Sequence, residues 1–180
     1  MAEAQTFLPV KLICGIIYAL DSVFLKAKVE LVSSFGPVDS VSDPFPFSLT
    51  DYYVQQMGDS LHRRFLSFEQ LRSPEILSSA KQKTNALEEK IWIEEGTSHR
   101  AVNLDPGCLS GYALIMATAK NFSHRIPLTG GIYAHLELLF GKKGVKTLEW
   151  TYPDFREDRY HDWLLKIRGQ FLEQSRDPNN

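Results

Sequence analysis

The chain has 180 residues, of which 43% are hydrophobic and 23% are charged, as is ordinary for a folded globular protein. This length is enough for one domain with a sizeable core, so we expect a single domain over residues 1–180, with frayed ends at about 1–10 and 176–180. The formal net charge of −2 gives the chain no overall cationic field, which argues against nucleic acid and anionic membranes as partners.

The sequence shows no segment typical of membrane insertion or secretion. The longest apolar run, from Leu12 to Leu20, is about half as long as a membrane-spanning helix. The first ten residues lack the charged start, long apolar middle and small-residue cleavage site of a secretory signal. The two cysteines, Cys14 and Cys108, are too few for a disulfide framework. Together these features predict a soluble protein of the cytoplasm.

The first half of the chain contains both strand-like and helix-like patterns. Residues 12–19 are apolar without alternation, which is typical of a strand buried on both faces. Ser73-Pro74-Glu75 indicates a helix start, because it combines a capping hydroxyl, a proline at the first position and an acid in the first turn. The predicted elements are a strand at 12–19, a helix from Asp21 to Gly36, a short strand near 38–41, a helical turn closed by Gly58, a strand at 61–69 and a helix from Ser73 to Gly96.

The second half is dominated by strand-like patterns before a final helix. A strand over Val102–Leu104 precedes Asp105-Pro106-Gly107, which has the composition of a tight turn. The apolar run Tyr112–Ala119 fits either a strand or a buried helix, and we expect a strand. Two alternating strands, 132–140 and 145–152, and a helix from about Glu157 complete the chain.

The two alternating strands predict a hairpin with a defined register. Placing both apolar faces on one core requires Leu138 opposite Leu148 across a three-residue loop. Glu137 then faces Glu149 on the other side of the sheet. Facing carboxylates are unfavourable unless they lie in solvent or share a cation, so His135 and Glu137 are weak candidates for a metal site. The alternative is an exposed sheet face with scattered polar residues.

The order of elements predicts an α+β fold with a mixed, largely antiparallel sheet and three main helices, because the helices do not alternate regularly with the strands. The first strand–helix unit fits a split βαβ arrangement, so a ferredoxin-like core is one candidate topology. In that topology the second half of the chain extends the core as a C-terminal antiparallel meander.

Several common catalytic signatures are missing from the sequence. Gly141-Lys142 lacks both the earlier glycine and the following serine or threonine of a phosphate-binding P-loop. The helix after the first strand begins without a glycine-rich turn, so a dinucleotide-binding fold is unsupported. Paired-cysteine zinc spacings, a His-Glu-x-x-His helix and a Gly-x-Ser-x-Gly elbow are also missing. The sequence therefore indicates no particular cofactor.

The densest polar cluster lies in residues 103–125. Asn103 and Asp105 come at the end of a predicted strand, and Lys120, His124 and Arg125 follow the next apolar segment. Arginine supplies a planar fork of donors, lysine a point charge and histidine a proton carrier near neutral pH, so this composition suits an anion or phosphate site. The structural alternative is a solvated loop around a turn.

Two further aspartates accompany aromatic residues. Asp154 follows Tyr152-Pro153 just before the last helix, where it either caps that helix or faces a ligand. Asp51 stands beside Tyr52 and Tyr53 and poses the same choice. Both aspartates are candidate ligand-binding residues.

Eight short segments are spread along nearly the whole chain: Pro44–Phe47, Thr50–Tyr53, Arg64–Glu69, Asn103–Gly107, Ala117–Lys120, Ser123–Ile126, Gly131–Ala134 and Thr151–Asp154. Together they resemble an uncharacterised prokaryotic family, domain of unknown function four-four-one-six. The resemblance implies a small stand-alone cytoplasmic protein and supplies no activity. The recurring polar motifs of that family fall on Asp51, Asn103, Asp105, Lys120, His124, Arg125 and Asp154.

The first functional hypothesis is an enzyme or binding protein for a phosphate-bearing or nucleotide-like small molecule. Lys120 and Arg125 would hold the anion. His124 would act as general acid or base, with Asp105 as its orienting partner or as a metal ligand. A concave pocket lined by these side chains favours this hypothesis.

The second hypothesis is a non-catalytic module that binds RNA or a protein partner. It requires a flat, exposed stacking surface. The candidate residues for that surface are Arg63, Arg64, Phe45, Phe47, Tyr52 and Tyr53.

Overall fold

The structure is a computed structural model of the chain and describes residues 1, 3–48 and 53–176. The helices in these ranges are α1 (Asp21–Phe35), α2 (Val54–Met57), α3 (Ile76–Glu95) and α4 (Asp158–Gln174), with a 3-10 turn at Asp154–Arg156. None of them combines the length and the hydrophobicity needed to cross a membrane. The strands are β1 (Val10–Tyr18), β2 (Val38–Val41), β3 (Phe45–Pro46), β4 (His62–Arg72), β5 (Val102–Leu109), β6 (Ala113–Thr118), β7 (Ile126–Pro127), β8 (Tyr133–Gly141) and β9 (Gly144–Thr147).

The nine described strands form one sheet, ordered β2-β4-β1-β5-β6-β8-β7, with β3 paired to β4 and β9 paired to β8. Each of these pairings is antiparallel. The expected α+β fold with a largely antiparallel sheet is confirmed, although the described strands include no parallel neighbours of the kind that a mixed sheet implies. Since β1 and β2 both run antiparallel to β4, the order β2-β4-β1-β5 is the split βαβ arrangement of a ferredoxin-like core. The strands from β6 onward extend that core.

The sheet carries helices on both of its faces. All nine residues of the central strand β1 are buried, as its unbroken apolar run predicts. Leu12, Cys14, Ile16 and Tyr18 pack with α1 and α3 on one face, whereas Ile13 packs with α4 on the other. Burying a large aliphatic side chain stabilises a fold by roughly 1.5–3 kcal/mol, so these contacts fix the central strands between two helix layers.

The segment Asp105-Pro106-Gly107 does not form the predicted turn, because β5 continues through it. On one side β5 pairs with β1, and Pro106 lies opposite Cys14. On the other side its pairing with β6 stops at Gly107 and Met116. The last two residues of β6, Ala117 and Thr118, pair with β8 but not with β5. A proline has no N–H to donate, so it is tolerated where a strand lacks a partner on one side. β5 and β6 therefore diverge from this point and leave a cleft in the sheet.

The hairpin of β8 and β9 differs from its predicted register by one residue. Leu138 pairs with Thr147 instead of Leu148, because the loop contains two residues and not three. β9 then ends at Thr147, and the chain turns before it reaches Glu149. The predicted facing of Glu137 and Glu149 is therefore wrong.

The predicted frayed segment at residues 1–10 overlaps the sheet. Val10 begins β1 and is buried, because it packs with Leu77 and Cys108. At the other end α4 is followed by a turn at Ser175 and Arg176, and residues 177–180 lie outside the described part of the chain.

We expect Gly107→Ala to lower the free energy of unfolding by about 1–3 kcal/mol. A β-carbon here would overlap the sulfur atom of Met116 and stand 3.1 Å from the backbone oxygen of Ile115. Urea unfolding of the purified variant measures the change.

Gly169→Ala is the control. Nothing lies within 4 Å of a β-carbon at that position, and alanine favours the helix, so the stability of this variant should rise. Equal stability of Gly107→Ala and the wild type would contradict the close approach of β5 and β6.

Candidate functional site

A cavity of about 420 Å³ opens at the cleft between β5 and β6. Its walls come from β4, β5, β6, β8 and α3, and from the segment around the 3-10 turn. Of the residues that the structure describes, five basic side chains and two carboxylates line it: Arg63, Lys81, Arg100, Lys120 and Arg125 against Asp105 and Asp154. The lining is therefore positive in balance, although the whole chain has a formal net charge of −2.

Charged side chains take the place of the missing strand partner along the open edge of β5. The ammonium group of Lys81 donates to the backbone oxygen of Leu104 at 2.7 Å, and the carboxylate of Glu88 accepts the N–H of Leu104 at 2.6 Å. The Nε–H of Arg100 donates to the backbone oxygen of Val102 at 3.1 Å. Because buried backbone groups need partners, these three side chains allow β5 to stay extended beside an open cavity.

Arg63, on β4, is a buried cation with 5% of its side chain exposed. Its Nη1 lies 2.6 Å from Oδ2 of Asp154, and its Nη2 lies 3.7 Å from Oδ2 of Asp105. The ring centres of Phe47 and Phe155 stand 4.9 Å and 5.2 Å from its guanidinium carbon. Burial by itself would lower the pKa of Arg63, but its neighbours, with Asp154 the strongest of them, together more than reverse this effect, so the pKa is raised and the charge is kept.

Asp105 is the carboxylate that joins the two halves of this network. It accepts hydrogen bonds from Nζ of Lys81 at 3.2 Å and from Nδ2 of Asn103 at 2.5 Å. Burial would raise the pKa of Asp105, but the positive charges of Lys81 and Arg63 outweigh it, and the pKa lies below its ordinary value. Asp105 is therefore ionised and held by its neighbours.

Arg125 is anchored through all three of its guanidinium nitrogens. Its Nη2 donates to the hydroxyl of Tyr152 at 2.7 Å, its Nη1 to the backbone oxygen of Lys120 at 2.8 Å, and its Nε to Nδ1 of His135 at 3.3 Å. All of these acceptors are neutral or backbone groups, and among the described residues no carboxylate pairs with Arg125. Arg125 therefore presents to the cavity a positioned positive charge that no carboxylate of the described residues compensates.

Three titratable side chains are linked behind this wall: His124, His135 and Glu137. The Nε2 atom of His124 lies 2.9 Å from Nδ1 of His135, and Nε2 of His135 lies 2.8 Å from Oε2 of Glu137. Because Arg125 donates to Nδ1 of His135, the neutral ring carries its proton on Nε2, toward Glu137. Burial raises the pKa of Glu137, whereas burial and the neighbouring His135 and Arg125 lower the pKa of His124.

The turn after β9 covers these imidazoles with aromatic rings. Trp150 stacks on His124, and Tyr152 stacks on His135, each pair with ring centres 4.8 Å apart and an angle of 9° between the planes. The indole N–H of Trp150 donates to a backbone oxygen of β8 at 2.8 Å. The backbone N–H of Tyr152 donates to Oε1 of Glu137 at 2.7 Å. The turn is thereby fixed to β8, and its rings hold both histidines in place.

The structure brings five of the predicted site residues to this one cavity: Asn103, Asp105, Lys120, Arg125 and Asp154. His124 does not line it, because its ring packs behind His135. His124 and Asp105 also have separate hydrogen-bond partners, so the structure does not pair them. Asp154 binds Arg63 and does not cap α4, whose N-cap is Glu157. Asp51 lies outside the described residues.

Several residues of the cavity were missed by reasoning from the sequence, which assigned Arg63 to an exposed stacking surface and did not single out Lys81. Both are buried. A signal was present for each: Arg63 shares a strand face with Phe65 two residues later, and Lys81 follows Leu77 at helical spacing. Arg100, which adjoins the strand-end cluster, and Tyr152 gave no comparable signal.

The surroundings of His135 and Glu137 differ from those of metal ligands. The two side chains approach each other, and Arg125 donates to the same imidazole. No group of three or more histidine, cysteine, aspartate or glutamate side chains in the described ranges could hold a metal ion.

The stacking surface required by the second hypothesis is also not exposed. Phe47 and Arg63 are buried, and Phe45 packs against Tyr160 with ring centres 4.9 Å apart. Tyr52 lies outside the described residues. Phe45, Phe47 and Arg63 therefore belong to the core or to the cavity wall.

The chain belongs to the family whose model is described as Domain of unknown function (DUF4416), because that model matches residues 8–171. This match confirms the resemblance seen in the sequence. No curated protein matches the chain, and no solved structure matches it. The family description carries no activity, so the function has to be inferred from the cavity itself.

We expect Asp105→Asn to lower the free energy of unfolding at neutral pH by roughly 3 kcal/mol, because it removes the carboxylate nearest to the buried ammonium group of Lys81 and one of the two carboxylates beside Arg63. The pKa of Asp105 is lower in the folded state, so its stabilising contribution is complete above about pH 4 and is lost as the pH falls through the folded-state pKa. Urea unfolding at pH 7 and at pH 3 should show a deficit that shrinks in acid.

Asp158→Asn serves as the control for this variant, because the side chain of Asp158 is fully exposed. It should change stability little at either pH. A deficit of Asp105→Asn that is the same at pH 3 as at pH 7 would show that the ionised carboxylate contributes nothing to stability.

We expect Arg125→Gln to raise the pKa of His124 toward its ordinary value, because the variant removes one of the charges that disfavour the imidazolium form. NMR titration of the histidine side chains measures this change. Arg176→Gln removes the same charge beyond the end of α4 and should leave the His124 titration where it is. An unchanged or lowered His124 pKa in Arg125→Gln would contradict the described contact.

Proposed function

We propose that this member of the DUF4416 family binds a phosphate-bearing, nucleotide-like small molecule in the cavity between β5 and β6. The observation that carries the proposal is the guanidinium group of Arg125, which lines the cavity and has no carboxylate partner among the described residues. A buried or half-buried charge is expected to have a counter-ion. A bound anion would supply it.

The remaining charges of the cavity support this choice. Arg63 is paired with Asp154, Lys81 with Asp105, and Arg100 with Glu88. In the described part of the wall, these pairs leave no excess negative charge that would repel an anion. Lys120 lines the same cavity, so its ammonium group would add a point charge to the donor fork of Arg125.

The size and lining of the cavity also suit a small molecule. A volume of about 420 Å³ lies within the usual range of small-molecule sites, roughly 300–1,000 Å³. Aromatic side chains line it together with the charged ones: Phe47, Tyr53, Tyr152 and Phe155. Such a lining combines apolar contact with a few directed polar groups, as ligand sites commonly do.

Within this proposal the predicted residues take distinct roles. Lys120 and Arg125 hold the anion, while Asn103, Asp105 and Asp154 fix the cations of the wall. His135 stands between the cavity and His124, so His124 would act on a bound molecule only indirectly. The single-domain organisation and the cytoplasmic location stay predictions from the sequence.

We expect the wild-type protein to bind inorganic phosphate or pyrophosphate, and Arg125→Gln to weaken that binding by about tenfold or more, because a hydrogen bond to a charged group contributes about 1.5–3 kcal/mol. Isothermal titration calorimetry measures the affinities at two salt concentrations, since binding to positive charges should weaken as salt rises.

Arg176→Gln, which carries the same change in charge away from the cavity, should bind like the wild type. Two results would refute the proposal: no binding of either anion by the wild type, or equal weakening by Arg125→Gln and Arg176→Gln.

A further inference from the structure

A second concave surface adjoins the cavity. This groove has a volume of about 570 Å³ and runs along the later turns of α3 and the loop that follows. It shares Asn85 and Arg100 with the cavity, so the two spaces meet at these side chains. A molecule larger than phosphate that enters the cavity therefore has the groove as its neighbouring space.

The groove contains an exposed indole that is held in one orientation. Trp92 has 43% of its surface exposed, and its Nε1–H donates to the backbone oxygen of Thr97 at 2.8 Å. The loop can return to the indole because Gly96 ends α3 with a φ of +61°, a conformation that glycine adopts without strain. No other ring in the described residues stacks on Trp92, so its aromatic surface is available to a planar group.

The polar groups beside Trp92 are mainly hydrogen-bond acceptors and amides. Glu89 places a carboxylate at the groove, and Gln56 and Asn85 add side-chain amides. The carboxylate of Glu88 also lines the groove but is already bonded to Arg100 and to the N–H of Leu104. These groups match a planar ring that carries N–H donors. An anionic group would be repelled by the carboxylates, and a purely aliphatic group would offer no hydrogen bonds to Glu89 and the amides.

The side chain of Arg100 is fixed at the boundary between the two spaces. Its guanidinium group is bonded to Glu88, to Oδ1 of Asn103 at 2.6 Å and to the backbone oxygen of Val102 at 3.1 Å. On one side of Arg100 the cavity is lined by basic side chains, and on the other side the groove offers an aromatic ring and acceptors. The two sides therefore differ in chemistry and would hold different parts of one molecule.

We infer that the groove is the subsite for a heterocyclic base, which stacks on Trp92 while the phosphate of the same molecule lies in the cavity near Arg125. The ligand class is thus a nucleoside monophosphate. This inference rests on the proposed function, because the phosphate position is the one proposed there. It adds a second subsite and assigns the base to Trp92.

The experiment compares inorganic phosphate, ribose 5-phosphate and the nucleoside monophosphates AMP, GMP, CMP and UMP on the wild-type protein by calorimetry. At least one monophosphate should bind about tenfold or more tightly than ribose 5-phosphate, as expected for stacking of a base on an aromatic side chain. Trp92→Leu should abolish that advantage and leave the affinity for ribose 5-phosphate unchanged. The exposed neighbour Ile93 provides the control variant Ile93→Ala, which should keep the advantage.

A second measurement needs no substitution. The indole N–H resonance of Trp92 should shift in NMR spectra on addition of the tightest nucleoside monophosphate and should stay in place on addition of ribose 5-phosphate.

The outcomes separate this inference from the proposed function. If phosphate and ribose 5-phosphate bind but no base adds affinity, or if Trp92→Leu weakens ribose 5-phosphate equally, the base subsite is refuted and the anion site stands. If none of the phosphate compounds binds, both fall.

Discussion

The divergence of β5 from β6 at Pro106 is the constraint on which the rest of the site depends. A strand inside a sheet normally satisfies its backbone groups on both sides, and β5 does so toward β1 along its length. Before Gly107, from Val102 to Pro106, its other edge faces the cavity, where Lys81, Glu88 and Arg100 bond to its backbone. The opening thus persists because charged side chains satisfy the groups that a neighbouring strand would otherwise satisfy.

This arrangement explains why so many charges lie close to the core. Burying a charge costs several kcal/mol unless a partner compensates it, and even good pairs add little net stability. Arg63, Lys81 and Arg100 each have a carboxylate partner, and two of these cations also satisfy the backbone of β5. The three cations therefore contribute more to keeping the cavity open than to the net stability of the fold.

Arg125 differs from these cations in what holds it. Its three bonds go to the hydroxyl of Tyr152, to a backbone oxygen and to His135. The orientation of His135 depends in turn on Glu137 at 2.8 Å and on the stacked ring of Tyr152. The guanidinium group is therefore positioned before any anion arrives, which lowers the entropy that a bound anion would lose in ordering it.

The sequence by itself determined the elements that depend on local patterns. The unbroken apolar run of β1, the helix after Ser73-Pro74 and the alternation of β8 each specify an element type, because burial on one face or on two leaves a distinct periodicity. The polar cluster around Asn103, Asp105, Lys120 and Arg125 could be recognised for the same reason, since its members follow apolar segments.

The tertiary structure alone decided that Pro106 lies within a strand, that the hairpin loop has two residues, and that Arg63, Lys81 and His135 meet this cluster. Those facts depend on which strand lies beside which, and hydrogen bonds between distant segments leave no periodic trace in the residues that form them.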